Sequence, residues 1–281
     1  EFMSRFEHLI CPVCHQKLLK TGQTLICSSR HSFDIASKGY ANLLLSQYKN
    51  SKDPGDNKEM AKARKRFLDK GYYEPLARGL CKVFTQILAV KEKESLLLDA
   101  GCGDGYYTNF LQRSFAENNY PCSVMGMDIS KEAIRLASGR NKEITFLVAS
   151  LFKLPFETSQ ADLILNAFAP ACDGEFVRAL KKNGGLVTVI PGKRHLFELK
   201  SVLYDEPYEN DEKGPDLPSF QSLDRVRIKS TIYLDSHEDL ADLLTMTPYS
   251  YRTPREGIER LNQLDRLETA IEFIIGIHSP K

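Results

Sequence analysis

The sequence predicts a doubly wound α/β domain with a small metal-braced module at its N-terminus. From residue 95 onward, apolar runs without polar alternation are separated by amphipathic stretches of helical period, the pattern of a parallel sheet covered on both faces. A glycine-rich turn, LLLDAGCGDGYY, includes the first of these runs. Ahead of both, CPVC and CSSRH place Cys11, Cys14, Cys27 and His31 at the spacing of a structural zinc site. The 281 residues, 42% of them hydrophobic and 27% charged, suffice for one full-sized core and a small appendage. A net charge of +1 excludes a uniformly basic nucleic-acid binder, so any basic surface is local. Up to about residue 70, basic residues outnumber acidic ones roughly two to one. No stretch is long and apolar enough to span a bilayer and the start lacks the order of a signal peptide, so a soluble cytoplasmic protein is expected. Glu1 and Phe2 precede a candidate initiator, Met3, and read as a cloning remnant.

Residues 8 to 35 carry turn signals and short alternating stretches with too few apolar side chains for a core of their own, so a metal must supply the cohesion. KNSKDPGD, from Lys49 to Asp56, is polar with a Pro-Gly pair and reads as a linker or exposed loop. DNKEMAKARKRFLDKGYYEPLARGLCKVFTQIL is helical, with Asp56 as its candidate cap and Gly71 and Pro75 dividing it in two. The alternation then runs SLLLDAG (strand), YYTNFLQRSFAENN (helix), SVMGMDIS (strand), KEAIRLASGR (helix), ITFLVAS and ADLILNAF (strands), a helix from Glu175 to Lys182, and GGLVTVIPG (strand). VRIKSTIYL and AIEFIIGIHS add two strands on either side of a helical, proline-containing segment.

Zinc takes four ligands in a tetrahedron; Cys-x-x-Cys on one turn presents two thiolates and Cys-x-x-x-His closes the shell from a second. Four protein ligands leave no open position, so the ion is structural. His8 and His15 are alternatives to His31, and His15, directly after Cys14, is geometrically poor. Of the seven cysteines, three belong to this set, and Cys81, Cys102, Cys122 and Cys172 read as scattered reduced residues. Loss of the metal should unfold the module and impair substrate docking while leaving cofactor binding largely intact.

At the glycine turn, Asp99 ends a strand and Gly101, Gly103 and Gly105 follow at alternate positions, so the backbone can turn tightly and a ligand can approach main-chain atoms. Dinucleotide binders favour G-x-G-x-x-G; here the third glycine comes one residue early and Tyr106 takes its place, so a cofactor without phosphates fits better. S-adenosylmethionine is the common cofactor bound by such a turn. Asp128 ends the next strand where a carboxylate would accept hydrogen bonds from both ribose hydroxyls, although it competes with Ser130 as cap of the following helix. Ala149 and Ser150, ending the third strand, would border the adenine.

With CPVCHQKL, CSSRHSFDIASKGYANLL, KDPGDNKEM, FLDKGYYEPL, LDAGCGDGYYT, PGKRHLFELK and TMTPYSYR, the chain resembles the bacterial 23S ribosomal RNA (guanine-N1)-methyltransferases of the RlmA type. The resemblance runs from Cys11 to the TMTP segment. It implies a zinc module fused to a class I S-adenosylmethionine-dependent methyltransferase domain, Rossmann-like with a mixed seven-stranded sheet. It also implies methylation of a guanine in a hairpin loop of domain II of 23S rRNA, and a homodimer. The expected division is a zinc-binding RNA-recognition module at 3–48, a linker and helices at 49–92 and the methyltransferase domain at 93–281. Residue by residue, Cys11, Cys14, Cys27 and His31 match the family's zinc ligands. Tyr73 in GYYEPL, Tyr107 and Thr108 in GYYT and His195 in GKRH match positions that contact the methyl donor. An aromatic such as Tyr73 also suits a positive sulfur on physical grounds. After the fourth strand the chain reads NAFAP where amino-methyltransferases carry an Asn-Pro-Pro-aromatic box, which disfavours exocyclic amino groups as acceptors.

Guanine N1 carries a proton at neutral pH that must leave on transfer; Asp173 in APACDGE is the candidate acceptor, with a cap for EFVRALKK as the competing role. Phe168 is a candidate stacking platform for a splayed base. Lys49, Lys52, Lys58, Lys62, Arg64, Lys65 and Arg66 form a candidate RNA surface, although Asp53, Asp56, Glu59 and Asp69 interleave as on a solvated helix face. Two other readings are a small-molecule methyltransferase with Leu203 to Ser222 as an inserted cap, and a noncatalytic zinc-dependent RNA-binding adaptor.

Overall fold

In the computed structural model, residues 6–48, 55–89 and 94–281 are described. Met3, Lys49, Lys52, Asp53 and most of the expected linker lie outside them. The N-terminal module is a three-stranded antiparallel sheet of β1 (Leu19–Thr21), β2 (Thr24–Ile26) and β3 (Ser32–Asp34). The two-residue β4 (Ala41–Asn42) then leaves the module. Helix α1 (Lys58–Asp69) is capped by Asn57, whose Oδ1 accepts from the N–H groups of Glu59 and Met60, each at 3.0 Å. Asp56, the expected cap, instead accepts from Arg64. Gly71, at φ +82°, ends the first helical piece in a conformation that favours glycine, and Pro75 sits in the first turn of α2 (Glu74–Leu88).

The alternation follows with β5 (Ser95–Ala100), α3 (Tyr106–Glu117), β6 (Cys122–Asp128), α4 (Lys131–Ala137), β7 (Thr145–Val148) and β8 (Ala161–Ala167). Then come α5 (Asp173–Ala179), β9 (Leu180–Pro191), α6 (Phe197–Leu203), β10 (Phe220–Leu234), α7 (His237–Thr245), α8 (Arg255–Asn262) and β11 (Leu267–Pro280). Leu180 to Lys182, expected in a helix, belong to β9: Leu180 pairs with Ala161, and the ladder takes the chain before a further helical turn forms.

Among the described residues the large sheet has the order β10-β11-β9-β8-β5-β6-β7-β4. Its central strands are parallel, and β11 runs antiparallel to both β9 and β10, so the sheet is mixed. The seven expected strands are thus joined by an eighth, β4, whose Ala41 and Asn42 pair with Leu147 and Val148. Strand order reverses between β5 and β8, which opens a crevice at their carboxyl ends.

Alternate residues of β5 face opposite layers. Leu97 belongs to one core together with Phe67, Leu80, Phe115, Ile134, Leu199 and Leu240 from α1, α2, α3, α4, α6 and α7. Leu96 and Leu98 share the other core with Phe176 of α5 and with Leu9, Leu18, Leu25 and Leu43 of the N-terminal part. No helix connects β7 to β8 among the described residues, and the zinc module covers that region instead: Leu9 bridges Phe156 and the Ile10 N–H donates to the Pro155 carbonyl at 3.0 Å. The module therefore replaces a covering layer of the sheet. No helix of the described residues is long and apolar enough to cross a membrane.

Candidate functional site

The donor atoms of Cys11, Cys14, Cys27 and His31 lie within 4.8 Å of one another. His31 Nδ1 is 3.5 Å from Cys11 Sγ and 3.4 Å from Cys27 Sγ, and Cys14 Sγ is 3.6 Å from Cys27 Sγ. A zinc tetrahedron with ordinary bond lengths has sulfur–sulfur edges of about 3.8 Å and sulfur–nitrogen edges of about 3.5 Å, so the four side chains fit the ion. The Gln16 backbone N–H pulls the Cys14 thiol down to about 6, towards the thiolate that zinc requires, while burial pushes Cys11 up. The other histidines are engaged elsewhere or misplaced: His8 Nδ1 meets Gln160 Oε1 at 3.1 Å, and His15 sits at φ +60° beyond the set.

The second site is the crevice after β5. Gly101, at φ +94°, lies against Ala169, and its N–H and that of Cys102 both donate to the Met127 carbonyl. These contacts lock the turn to β6. Asp99 is buried, accepts from Thr108 Oγ1 at 2.6 Å, and is pushed up to about 7 by desolvation. Asp128 accepts from the N–H of Gly103 at 3.0 Å and of Ser130 at 2.8 Å, and burial raises it as well. Ser130, with Oγ accepting from Ala133 N–H at 3.2 Å, caps α4, so Asp128 is not the cap. Ser150 follows β7 beside it, its Oγ accepting from Phe152 N–H at 3.2 Å. Two desolvated carboxylates at one glycine turn favour a cationic ligand. The buried hydroxyls of Tyr106 and Tyr107 have no hydrogen-bond partner among the described residues, a cost that a ligand's polar groups would remove.

An aromatic wall borders the crevice. Tyr73, His195 and Phe273 meet pairwise with ring centroids 4.7 to 5.8 Å apart, Phe168 lies 5.7 Å from Phe273, and Tyr107 lies 6.5 Å from Phe168. The Glu272 N–H donates to His195 Nδ1 at 3.2 Å, which leaves the ring proton on Nε2 to donate to the Tyr73 hydroxyl at 3.3 Å. Burial lowers His195 to about 3, so it stays neutral and fixes Tyr73 rather than titrating. Phe168 is 45% exposed and held at φ +57°, a strained conformation for a bulky residue and one that turns the chain sharply after β8. Asn166 steadies this turn by donating to the carbonyls of Ala100 and Pro170.

Two expectations are corrected. Asp173 is neither cap nor free base: Cys172 holds the cap position of α5, and the Asp173 oxygens accept from Ser219 N–H at 3.0 Å and Ser219 Oγ at 2.6 Å, pinning α5 to the start of β10. Of the α1 cations, Arg64 and Arg66 are tied to carboxylates outside the helix, whereas Lys62 and Lys65 pair only with neighbours along the partly exposed helix surface. Arg66 holds Asp242 through two bonds at 2.8 and 2.5 Å, Arg64 holds Asp56 at 2.8 Å, Lys65 pairs with Asp69 and Lys62 approaches Glu59 at 3.8 Å. Lys58 has no ion pair among the described residues. Arg64 and Arg66 thus tie α1 inward, and charge reversal there would break packing before it tested RNA binding.

Sequence reasoning missed Phe273, Asn166, and the Asp104–Arg140–Asp69 link that braces the first turn of α3. Asn166 at a strand end was the one detectable signal among them.

The RlmA N-terminal zinc-ribbon family matches residues 9–52, and a methyltransferase domain family matches residues 97–184. The chain is 30% identical over 97% of its length, and 97% of the relative's, to YxjB of Bacillus subtilis (strain 168), provisionally named a 23S rRNA (guanine-N1)-methyltransferase. It is 30% identical over 92% of its length to the 23S rRNA (guanine(748)-N1)-methyltransferase of Streptomyces fradiae, of which 91% is covered. A relative from Micromonospora griseorubida, provisionally named like the first, is 29% identical with 88% of each chain covered.

Proposed function

The chain belongs to the RlmA-type 23S rRNA (guanine-N1)-methyltransferases, and on that premise we propose how its two sites divide the work. It is an S-adenosylmethionine-dependent enzyme that methylates N1 of a guanine in 23S rRNA. The finer assignments, a hairpin-loop target in domain II and a homodimer acting in the cytoplasm, rest on the resemblance of the quoted motifs. The observation that carries the reading is the crevice itself, in which desolvated Asp99 and Asp128 and the orphaned Tyr107 hydroxyl border exposed Phe168.

When bound, the donor supplies an electrophilic methyl group on a sulfonium. Asp128 would accept from the ribose hydroxyls, and Ala149 and Ser150 would border the adenine. Gly103, where a Cβ would meet no protein atom nearer than 3.9 Å, leaves room for the ligand over the turn. Asp99, oriented by Thr108, would meet the donor's ammonium end, and Tyr73, fixed by neutral His195, would line the path with Tyr107. Phe168 would stack the extruded guanine. Holding the acceptor nitrogen in line in a dry aromatic site accounts for most of the rate such a displacement needs. Cys11, Cys14, Cys27 and His31 would hold the zinc, which braces the module without entering the reaction.

Reverse transcription of 23S rRNA from cells with and without the protein tests the reading. A methyl on N1 blocks base pairing, so one strong stop is expected, next to a single guanine and only when the protein is present. Identical profiles would refute it.

Asp99 also sets a pH dependence. Its folded value lies near 7, so it gains a proton as pH falls through 7 and no longer attracts a cation. Donor affinity measured by calorimetry should weaken about 25-fold between about pH 7.5 and about pH 5.5, a trend that Asp99→Asn should flatten at uniformly low affinity. An unchanged wild-type affinity across this range would remove Asp99 from the donor site.

A further inference from the structure

We propose that Arg64 and the Tyr107 hydroxyl form the subsite for the carboxylate at the amino-acid end of the methyl donor. This rests on the reading of the crevice as the donor site and adds which residues recognise that end. Arg64 reaches from α1 towards the glycine turn: a Cβ built on Gly103 would meet Arg64 Cδ at 3.9 Å and nothing nearer. Its guanidinium is immobilised. Nε donates to Asp56 Oδ2 at 2.8 Å and one terminal nitrogen to the Met246 carbonyl at 2.9 Å, while the Asp56 carbonyl accepts from Ser130 Oγ at 2.7 Å. The remaining terminal nitrogen, with two N–H groups, has no hydrogen-bond partner among the described residues.

The Arg64 side chain is surrounded by protein yet retains 28% of its accessibility, as a group lining a recess does. Its field reaches the Tyr107 and Tyr73 hydroxyls and the carboxylates of Asp104 and Asp128. Asp104 already has a cation of its own in Arg140. The ligand chemistry that completes this set is a zwitterion, its ammonium towards Asp99 and its carboxylate bridging the free Arg64 nitrogen and the Tyr107 hydroxyl, which is otherwise buried without a partner. A phosphate of the RNA is the other anion that a guanidinium would accept, and the two sources separate experimentally.

The test is calorimetry without RNA, comparing S-adenosylmethionine with its decarboxylated form. Wild-type protein should prefer the carboxylate-bearing ligand. Arg64→Gln should weaken S-adenosylmethionine about 30-fold while changing the decarboxylated ligand less than about 3-fold, with Arg64→Lys restoring part of the preference. Tyr107→Phe, which removes one oxygen and spares the ion pair with Asp56, should cost about 5-fold with the same selectivity and keeps the proposal testable if Arg64→Gln folds poorly. Equal losses for both ligands would show a purely structural role and overturn the proposal. So would unchanged S-adenosylmethionine binding by Arg64→Gln; a separate titration with the rRNA hairpin that showed weakened affinity would then assign Arg64 to a phosphate. Wild-type protein that binds neither ligand would overturn the crevice assignment itself.

Discussion

Removing the zinc, by chelation or by Cys27→Ser, is expected to destabilise the whole protein rather than the N-terminal module alone. The module's strands are three residues each and cannot persist without a cross-link, because structural zinc binding is itself the folding free energy of such a unit. Its apolar side chains, however, are not private. Leu9, Leu18, Leu25 and Leu43 lie in one core with Leu98, Met127, Leu147 and Phe156, and β4 extends the sheet beside β7. Losing that layer should cost about 5 kcal/mol, and at about 2 °C per kcal/mol for a domain of this size the thermal midpoint should fall by about 10 °C. Donor affinity should fall with it, because β7 carries Val148 against Asp128 and leads into Ser150. This reverses the expectation from sequence that zinc loss would spare the cofactor site. A zinc-free protein with unchanged midpoint and donor affinity would show that the module is an independent appendage.

Gly101→Ala is expected to reduce kcat/KM by more than about 100-fold, the effect of misplacing reacting groups by about 1 Å. Its φ of +94° strains any side chain, and the new Cβ would lie 2.4 Å from Ala169 Cβ. Ala169 must retreat, and it adjoins Phe168, so the floor of the donor crevice and the platform for the base move together. Gly103→Ala provides the contrast. Its Cβ meets no protein atom closer than 3.9 Å, and φ +55° lies in the small left-handed region that costs a non-glycine residue about 1 kcal/mol. Stability should fall by only about 1 kcal/mol, yet the methyl group occupies space the donor needs, so donor affinity should fall at least about 10-fold. If Gly103→Ala bound the donor normally, the ligand would not lie over this turn.

The sheet was readable from sequence because its strands are uniformly apolar and its helices amphipathic; the metal quartet was readable because its spacing is local. Asp99, Gly101, Gly103 and Asp128 likewise sit within a single β-α-β unit. What escaped depends on distant partners. Ala41–Asn42 is too short to carry a strand pattern and joins the sheet only because the module packs there. Arg66 resembles a solvent-facing cation until Asp242, 176 residues later, is folded against it. Asp173 follows a helix-start pattern, but Ser219 captures its carboxylate and Cys172 is left at the cap position. Of the aromatic wall, Tyr73, Tyr107, Phe168 and His195 are legible one by one through motifs, whereas Phe273 in β11 carries no motif and joins them only in the fold.

A crystal structure of the protein grown with S-adenosylhomocysteine, the demethylated donor, addresses the location of the methyl-transfer centre without intermediaries. Density should lie across Gly101 and Gly103, with the ribose on Asp128 and the sulfur directed towards Phe168 and Tyr73. Density at any other place, or a crevice left empty at saturating ligand, would contradict the assignment of this turn as the donor site.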